Sequence, residues 1–212
     1  MKLRSCWIGF TAVICALPLA WAEKPGEAVA DLVLRDPSGA QVKLSTYRQQ
    51  KNVALLALAP GATLAPAVVE DACRRLASLD TVVLFLASDG KANRQLLENA
   101  SSATLLIDSD GVLRRMLPGR VLTGADLAGF VKLWLTGRTV FKTACARCHG
   151  DEGDSTICWD VKSLVGIGRR LSETEVRARL RPAVLDGRTV LIRSQFFTPH
   201  EVDAVIVYVA GL

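Results

Sequence analysis

Val53-Ala-Leu-Leu-Ala-Leu58 is apolar at every position and only a strand long. A run apolar on both faces suits a strand covered above and below, as in the parallel part of a layered α/β sheet. A second run, Val82-Val-Leu-Phe-Leu-Ala87, has the same character. Between them, Val68, Val69, Ala72, Cys73 and Leu76 fall at helical spacing within 67–79, so the pair reads as strand, helix, parallel strand. Upstream, 31–36 and 41–44 flank Pro37-Ser38-Gly39 and predict a hairpin. Downstream, Asn93 to Ala100 is a helix candidate. Thr104-Leu-Leu-Ile-Asp108 and Val112 to Met116 enclose Ser109-Asp110-Gly111 as a second hairpin. Leu127, Phe130, Val131, Trp134 and Leu135 then mark a helix opened by Thr123-Gly-Ala-Asp126.

The order hairpin, strand, helix, strand, helix, hairpin, helix is that of a thioredoxin-like α/β layer fold. Residues 31–135 resemble the peroxiredoxin and Sco-like branch of that superfamily. The likeness is carried by Leu34 to Leu44 with its Pro-Ser-Gly turn, Leu-Ser-Thr-Tyr47, the strand Val53–Leu58 and the Leu105-Leu-Ile-Asp-Ser-Asp-Gly111 hairpin. It implies reactive cysteines in the loop after the first central strand and a cis-proline before the last hairpin. Here that loop reads Ala59-Pro-Gly-Ala-Thr-Leu-Ala-Pro66, and the proline position falls near Ser102-Ala103-Thr104. Both features are missing. Cys73, late in the helix and among apolar neighbours, reads as a small core residue, since free Cys is among the most buried residue types. A catalytically silent thioredoxin-like domain is therefore expected, acting as a docking or spacing module.

The chemistry lies further on. Cys145-Ala-Arg-Cys148-His149-Gly150 is a C-x-x-C-H motif. The motif is the attachment signature of a c-type haem. Two thiols one helical turn apart can form thioethers to one edge of a porphyrin, and the following imidazole falls beneath the iron as its proximal ligand. A thioredoxin-like redox pair would follow a strand, and a zinc site would need a second Cys or His pair downstream. The chain offers only Cys158 and His200 there. Cys145, Cys148 and His149 are thus the cofactor-binding residues, with His149 on the metal and one covalent haem c as the cofactor.

Residues 138–212 resemble a small class I cytochrome c. Val140-Phe141-Lys-Thr-Ala-Cys145 looks like its first helix, 150–154 like its H-G-x-x-G loop, and the last helix with Tyr208 would cross the first. Ser172-Glu-Thr-Glu175 and Thr198-Pro-His-Glu201 are capping boxes, the second with Pro at the first helical position. The family's distal Met is missing from the loop Val190-Leu-Ile-Arg-Ser-Gln-Phe-Phe197, and Met116 lies in the other half. The resemblance then implies a lower potential or an open site. His200, Cys158 or water on the far side remain alternatives, with Arg193 and Gln195 available to hold a water or a propionate. Cys158 could also pair with Cys73, which export would permit.

Lys2 and Arg4, an apolar run from Cys6 to Leu19, and Ala20-Trp-Ala22 before Glu23 compose a secretory signal, so Cys6 and Cys15 leave with it. An uncleaved signal would instead hold the protein at a membrane. Of 212 residues, 26 are Lys or Arg and 21 Asp or Glu, with no basic run, so nucleic-acid binding is not expected. Thr136-Gly137-Arg138 breaks the helical pattern and marks the junction.

The expected organisation is a signal peptide over 1–22, a thioredoxin-like domain lacking redox cysteines over 23–136, and a small all-α monohaem cytochrome c domain over 137–212. Its expected function is periplasmic electron transfer with a redox partner protein or complex. Two alternatives stand beside it: a haem enzyme or gas- or peroxide-binding protein with an open distal site, and a mainly structural accessory subunit.

Overall fold

The computed structural model describes residues 25–86, 102–154, 162–180, 183–185, 189–192 and 195–212. The helix candidate 93–100, the signal segment 1–22, Cys158 and Arg193 lie outside them.

The two apolar runs pair as expected. β3 (Asn52–Ala57) lies parallel to β4 (Thr81–Leu86), and α1 (Pro66–Ala77) connects them. With β1 (Val33–Arg35), β2 (Gln41–Lys43), β5 (Ala103–Ile107) and β6 (Leu113–Pro118) they form a six-stranded sheet of order β2-β1-β4-β3-β5-β6. A parallel βαβ unit followed by an antiparallel hairpin and a helix is the thioredoxin-like arrangement. β3 is buried along its whole length and its side chains alternate between two cores. Val53, Leu55 and Ala57 join Leu34, Leu44 and Leu105 on one face. Ala54 and Leu56 join Leu76, Trp134 and Tyr208 on the other. The period-2 geometry of a strand produces this division.

The expected break at Thr136-Gly137-Arg138 does not occur. α2 runs without interruption over Gly124–Ala144 and buries Leu127, Val131, Trp134, Gly137, Val140 and Phe141. Gly137 is a point of close approach: a Cβ there would lie 2.0 Å from the carbonyl oxygen of Ala204 and 2.8 Å from Cβ of Tyr208. Absence of a side chain lets α6 (Pro199–Val209) press against α2. Tyr208 packs between Trp134 and Phe141, at ring-centroid distances of 5.6 and 5.2 Å. The expected crossing of the last helix over the residues that precede the motif is therefore present.

The second half is not all-α. After α3 (Ala146–His149), α4 (Ile167–Arg170) and α5 (Glu173–Leu180), a three-stranded antiparallel sheet forms from β7 (Ala183–Leu185), β8 (Thr189–Ile192) and β9 (Gln195–Phe197). Val190-Leu-Ile and Phe196-Phe197 are β-branched or bulky apolar residues that favour strands. The stretch read as a distal loop therefore folds as two neighbouring strands. Both expected capping boxes are present. Glu175 N–H donates to Ser172 Oγ and Glu201 N–H to Thr198 Oγ1, while the Ser172 and Thr198 amides donate to the two glutamates. Ion pairs Arg115–Glu173 and Arg169–Glu27 join the second half to the first.

Candidate functional site

The C-x-x-C-H motif follows α2 directly, and its backbone forms one tight turn. The amides of Cys148 and His149 both donate to Cys145 O at 3.0 Å, and Gly150 N–H donates to Ala146 O at 2.7 Å. Gly150 ends the turn at φ 76°, a left-handed conformation that glycine adopts without steric cost. The chain leaves the turn sharply there, freeing the motif's side to form a wall.

That wall borders a cavity of about 460 Å³. Cys145 and His149 line it from the motif, Phe141 and Val209 from the two crossed helices, and Leu164, Ile167, Leu171, Val176 and Leu180 from the far side. Its volume lies within the roughly 300–1,000 Å³ usual for small-molecule and cofactor pockets. Three cations, Lys162, Arg170 and Arg179, also line it, and no carboxylate is among the described lining residues. Arg170 donates to the carbonyls of Ser163 and Val165 at 3.4 and 3.3 Å, weak bonds that leave its charge without a carboxylate partner among the described residues. Its neighbour Arg169 pairs with Glu27, and Arg177 pairs with Asp203. Among the described residues, Arg170 and Arg179 form no such ion pair, although Arg179 attracts the nearby Glu175 carboxylate.

An apolar lining with three cations suits an apolar group that carries acidic substituents. Among the described residues, no cluster of three or more His, Cys, Asp or Glu side chains could cage a bare ion. A porphyrin would bring nitrogen ligands of its own and would need a protein side chain as a further ligand to its iron. His149 could serve as that ligand, Cys145 and Cys148 as the thioether donors, and Arg170, Arg179 and Lys162 as partners for the carboxylates. Sequence reading found the first three residues and missed the cations. Their one signal was the i, i+3, i+4 spacing of Ile167, Arg170 and Leu171.

His200 is exposed on the first turn of α6 and does not line the cavity. Met116 packs with the core on the face of the sheet opposite Trp134 and Tyr208. Cys73, on α1, is half-buried against the core, and burial pushes its thiol pKa up, which disfavours the reactive thiolate. The loop before α1 ends at Ala65, with Pro66 opening the helix and no thiol at its N-terminus.

No protein-family profile and no curated protein matches the chain. Among solved structures, similarity is found to a peroxidoxin of Mycobacterium tuberculosis at 17% identity, covering 50% of this chain and 91% of that one with a TM-score of 0.36. A 2-Cys peroxiredoxin of Plasmodium vivax is similar at 13% identity, covering 55% and 83%, with a TM-score of 0.43. A protein disulfide isomerase assigned in Bacteroides thetaiotaomicron is similar at 17% identity, covering 51% and 86%, with a TM-score of 0.39.

Proposed function

We propose that the protein is an exported monohaem c-type cytochrome that passes electrons to and from a redox partner protein or complex. The observation that carries this reading is the shared cavity: Cys145 and His149 stand on the wall of an apolar chamber whose other lining includes three cations. A haem c bound there would supply a one-electron couple at its iron. Cys145 and Cys148 would fix one edge of the ring, and His149 would hold the metal. Phe141, Leu164, Leu171 and Val209 would exclude water, and the cations would offset the acidic edge. The sheet half would serve as a docking or spacing module.

Export rests on residues 1–22, whose charged start, apolar run and Ala20-Trp-Ala22 match a signal. The working compartment is then the periplasm, where thioether attachment takes place. Membrane association would come through a partner or through an uncleaved signal; among the described residues no helix is long and apolar enough to cross a membrane.

Production in a host able to mature c-type cytochromes tests the reading. The expected product is coloured and carries the mass of one porphyrin, and Cys145→Ala with Cys148→Ala abolishes both. A colourless chain of unmodified mass sinks the proposal.

A second reading, in which a bound haem would take up a small gas or peroxide, is favoured by one observation. Apart from His149, no histidine or methionine is among the described residues that line the cavity. An optical spectrum separates the two. A ferrous form that ignores carbon monoxide favours simple electron transfer, and one that binds it favours the second reading.

A further inference from the structure

We propose that Arg114 is a positioning residue for the candidate site, fixing the turn after the C-x-x-C-H motif to the second hairpin of the large sheet. The proposal takes from the haem reading only what that turn helps to hold. Arg114 stands in β6 with its side chain 8% exposed. Its Nε donates to Asp108 Oδ2 at 2.5 Å and its Nη2 to Glu152 Oε2 at 2.8 Å. Asp108 is 1% exposed and already committed, since its Oδ1 accepts from the amides of Asp110 and Val112 at 3.0 and 2.9 Å. The hairpin turn and the guanidinium are therefore locked together. A planar fork can meet two carboxylates in fixed directions, which a lysine ammonium cannot do.

Glu152 lies three residues beyond His149. Next to it, the carbonyl of Gly153 accepts from Leu164 N–H at 2.8 Å and from Ser163 Oγ at 3.3 Å. Ser163 and Leu164 line the cavity. A Cβ on Gly153 would meet Leu212 Cδ1 at 2.9 Å and Leu164 Cβ at 3.2 Å, so the turn packs closely against both residues. A continuous path of contacts thus runs from the sheet through Asp108, Arg114, Glu152 and Gly153 to the cavity wall. Buried ion pairs contribute little net stability, because desolvation of the two charges offsets their attraction. Fixing geometry is the role these surroundings favour.

The full chain tests this in two forms, with haem attached and haem-free, as wild type, Glu152→Gln and Arg114→Lys. Glu152 is 40% exposed, so Glu152→Gln leaves the Arg114–Asp108 pair intact and the fold sound. The expected result for both variants is a several-fold faster alkylation of Cys145 and Cys148 in the haem-free chain. Glu152→Gln also raises the midpoint potential of the haem form, because a negative charge three residues beyond His149 in the chain is removed. Unchanged alkylation and potential, whatever the urea midpoint does, would overturn the proposal. If no haem is ever attached, the proposed function fails while the alkylation rates still decide the role of Arg114.

Discussion

Gly137 and Ala204 touch backbone to side-chain position, with the site of a missing Cβ on Gly137 only 2.0 Å from the Ala204 carbonyl oxygen. Alanine in a helix interior is favoured over glycine by about 1 kcal/mol, so helix propensity alone says Gly137→Ala should stabilise. Overpacking costs typically about 1–3 kcal/mol and sometimes more. The expected outcome is net destabilisation, read as a lower urea midpoint. Gly129, in the same helix with nothing within 4 Å of its Cβ position, is the control. Gly129→Ala should raise the midpoint by the propensity gain of about 1 kcal/mol. Equal responses at the two positions would contradict the packing described between α2 and α6.

Tyr208 is buried, and its hydroxyl has no hydrogen-bond partner among the described residues. Burial, reinforced by Glu152, pushes its pKa up to about 12 from an ordinary value of 10.0. The folded phenol stays protonated where the unfolded one ionises. Its contribution is therefore complete below pH 10 and falls away as pH rises from about 10 to about 12. Tyr208→Phe keeps the ring contacts with Trp134 and Phe141 and removes the unpaired hydroxyl, whose burial costs about 1–3 kcal/mol. The variant should be at least as stable as wild type at neutral pH and lose less stability across that alkaline window. Urea melts at several pH values measure both effects.

Thr198 closes a reciprocal capping box with Glu201 at the start of α6. Thr198→Ala removes the hydroxyl acceptor and should cost about 1 kcal/mol. Val202, Val205, Ile206 and Val209 of this helix are buried in the core, so the loss should appear in global unfolding and not as local fraying. Coincident urea transitions by tryptophan fluorescence and circular dichroism, both shifted down, would show this.

Arg170 and Arg179 line the cavity and form no ion pair among the described residues. In a chain carrying Cys145→Ala and Cys148→Ala, added haem can bind only without covalent attachment. Arg170→Gln or Arg179→Gln should each weaken that binding by roughly tenfold, since hydrogen bonds to charged groups contribute about 1.5–3 kcal/mol. Titration by absorbance measures it. Affinity indifferent to both substitutions would remove these arginines from the site.

Much of the sheet was legible because its signals are local. Continuous apolar runs such as Val53–Leu58 permit little besides a covered strand, and the Pro37-Ser38-Gly39 turn sets the first hairpin. The motif was legible for the same reason, as Cys145, Cys148 and His149 lie within one helical turn. Gly137 was misread because a sequence shows that a Cβ is missing without showing what fills its place, here the Ala204 carbonyl. Val190–Ile192 and Phe196–Phe197 were read through a resemblance that expects a loop, and their own strand preference was passed over. Arg114 could not have been found. Its partner Glu152 is 38 residues away, and nothing local distinguishes Arg114 from Arg115 beside it.

α2 has a mechanical consequence. Its 21 residues form a rod of about 32 Å whose last turn leads straight into Cys145. Reach and azimuth of the motif relative to the sheet are therefore set by counting residues. Inserting or deleting one residue between Thr123 and Cys145 would swing Cys145 and His149 by about 100° around the rod's axis, away from the chamber they now border.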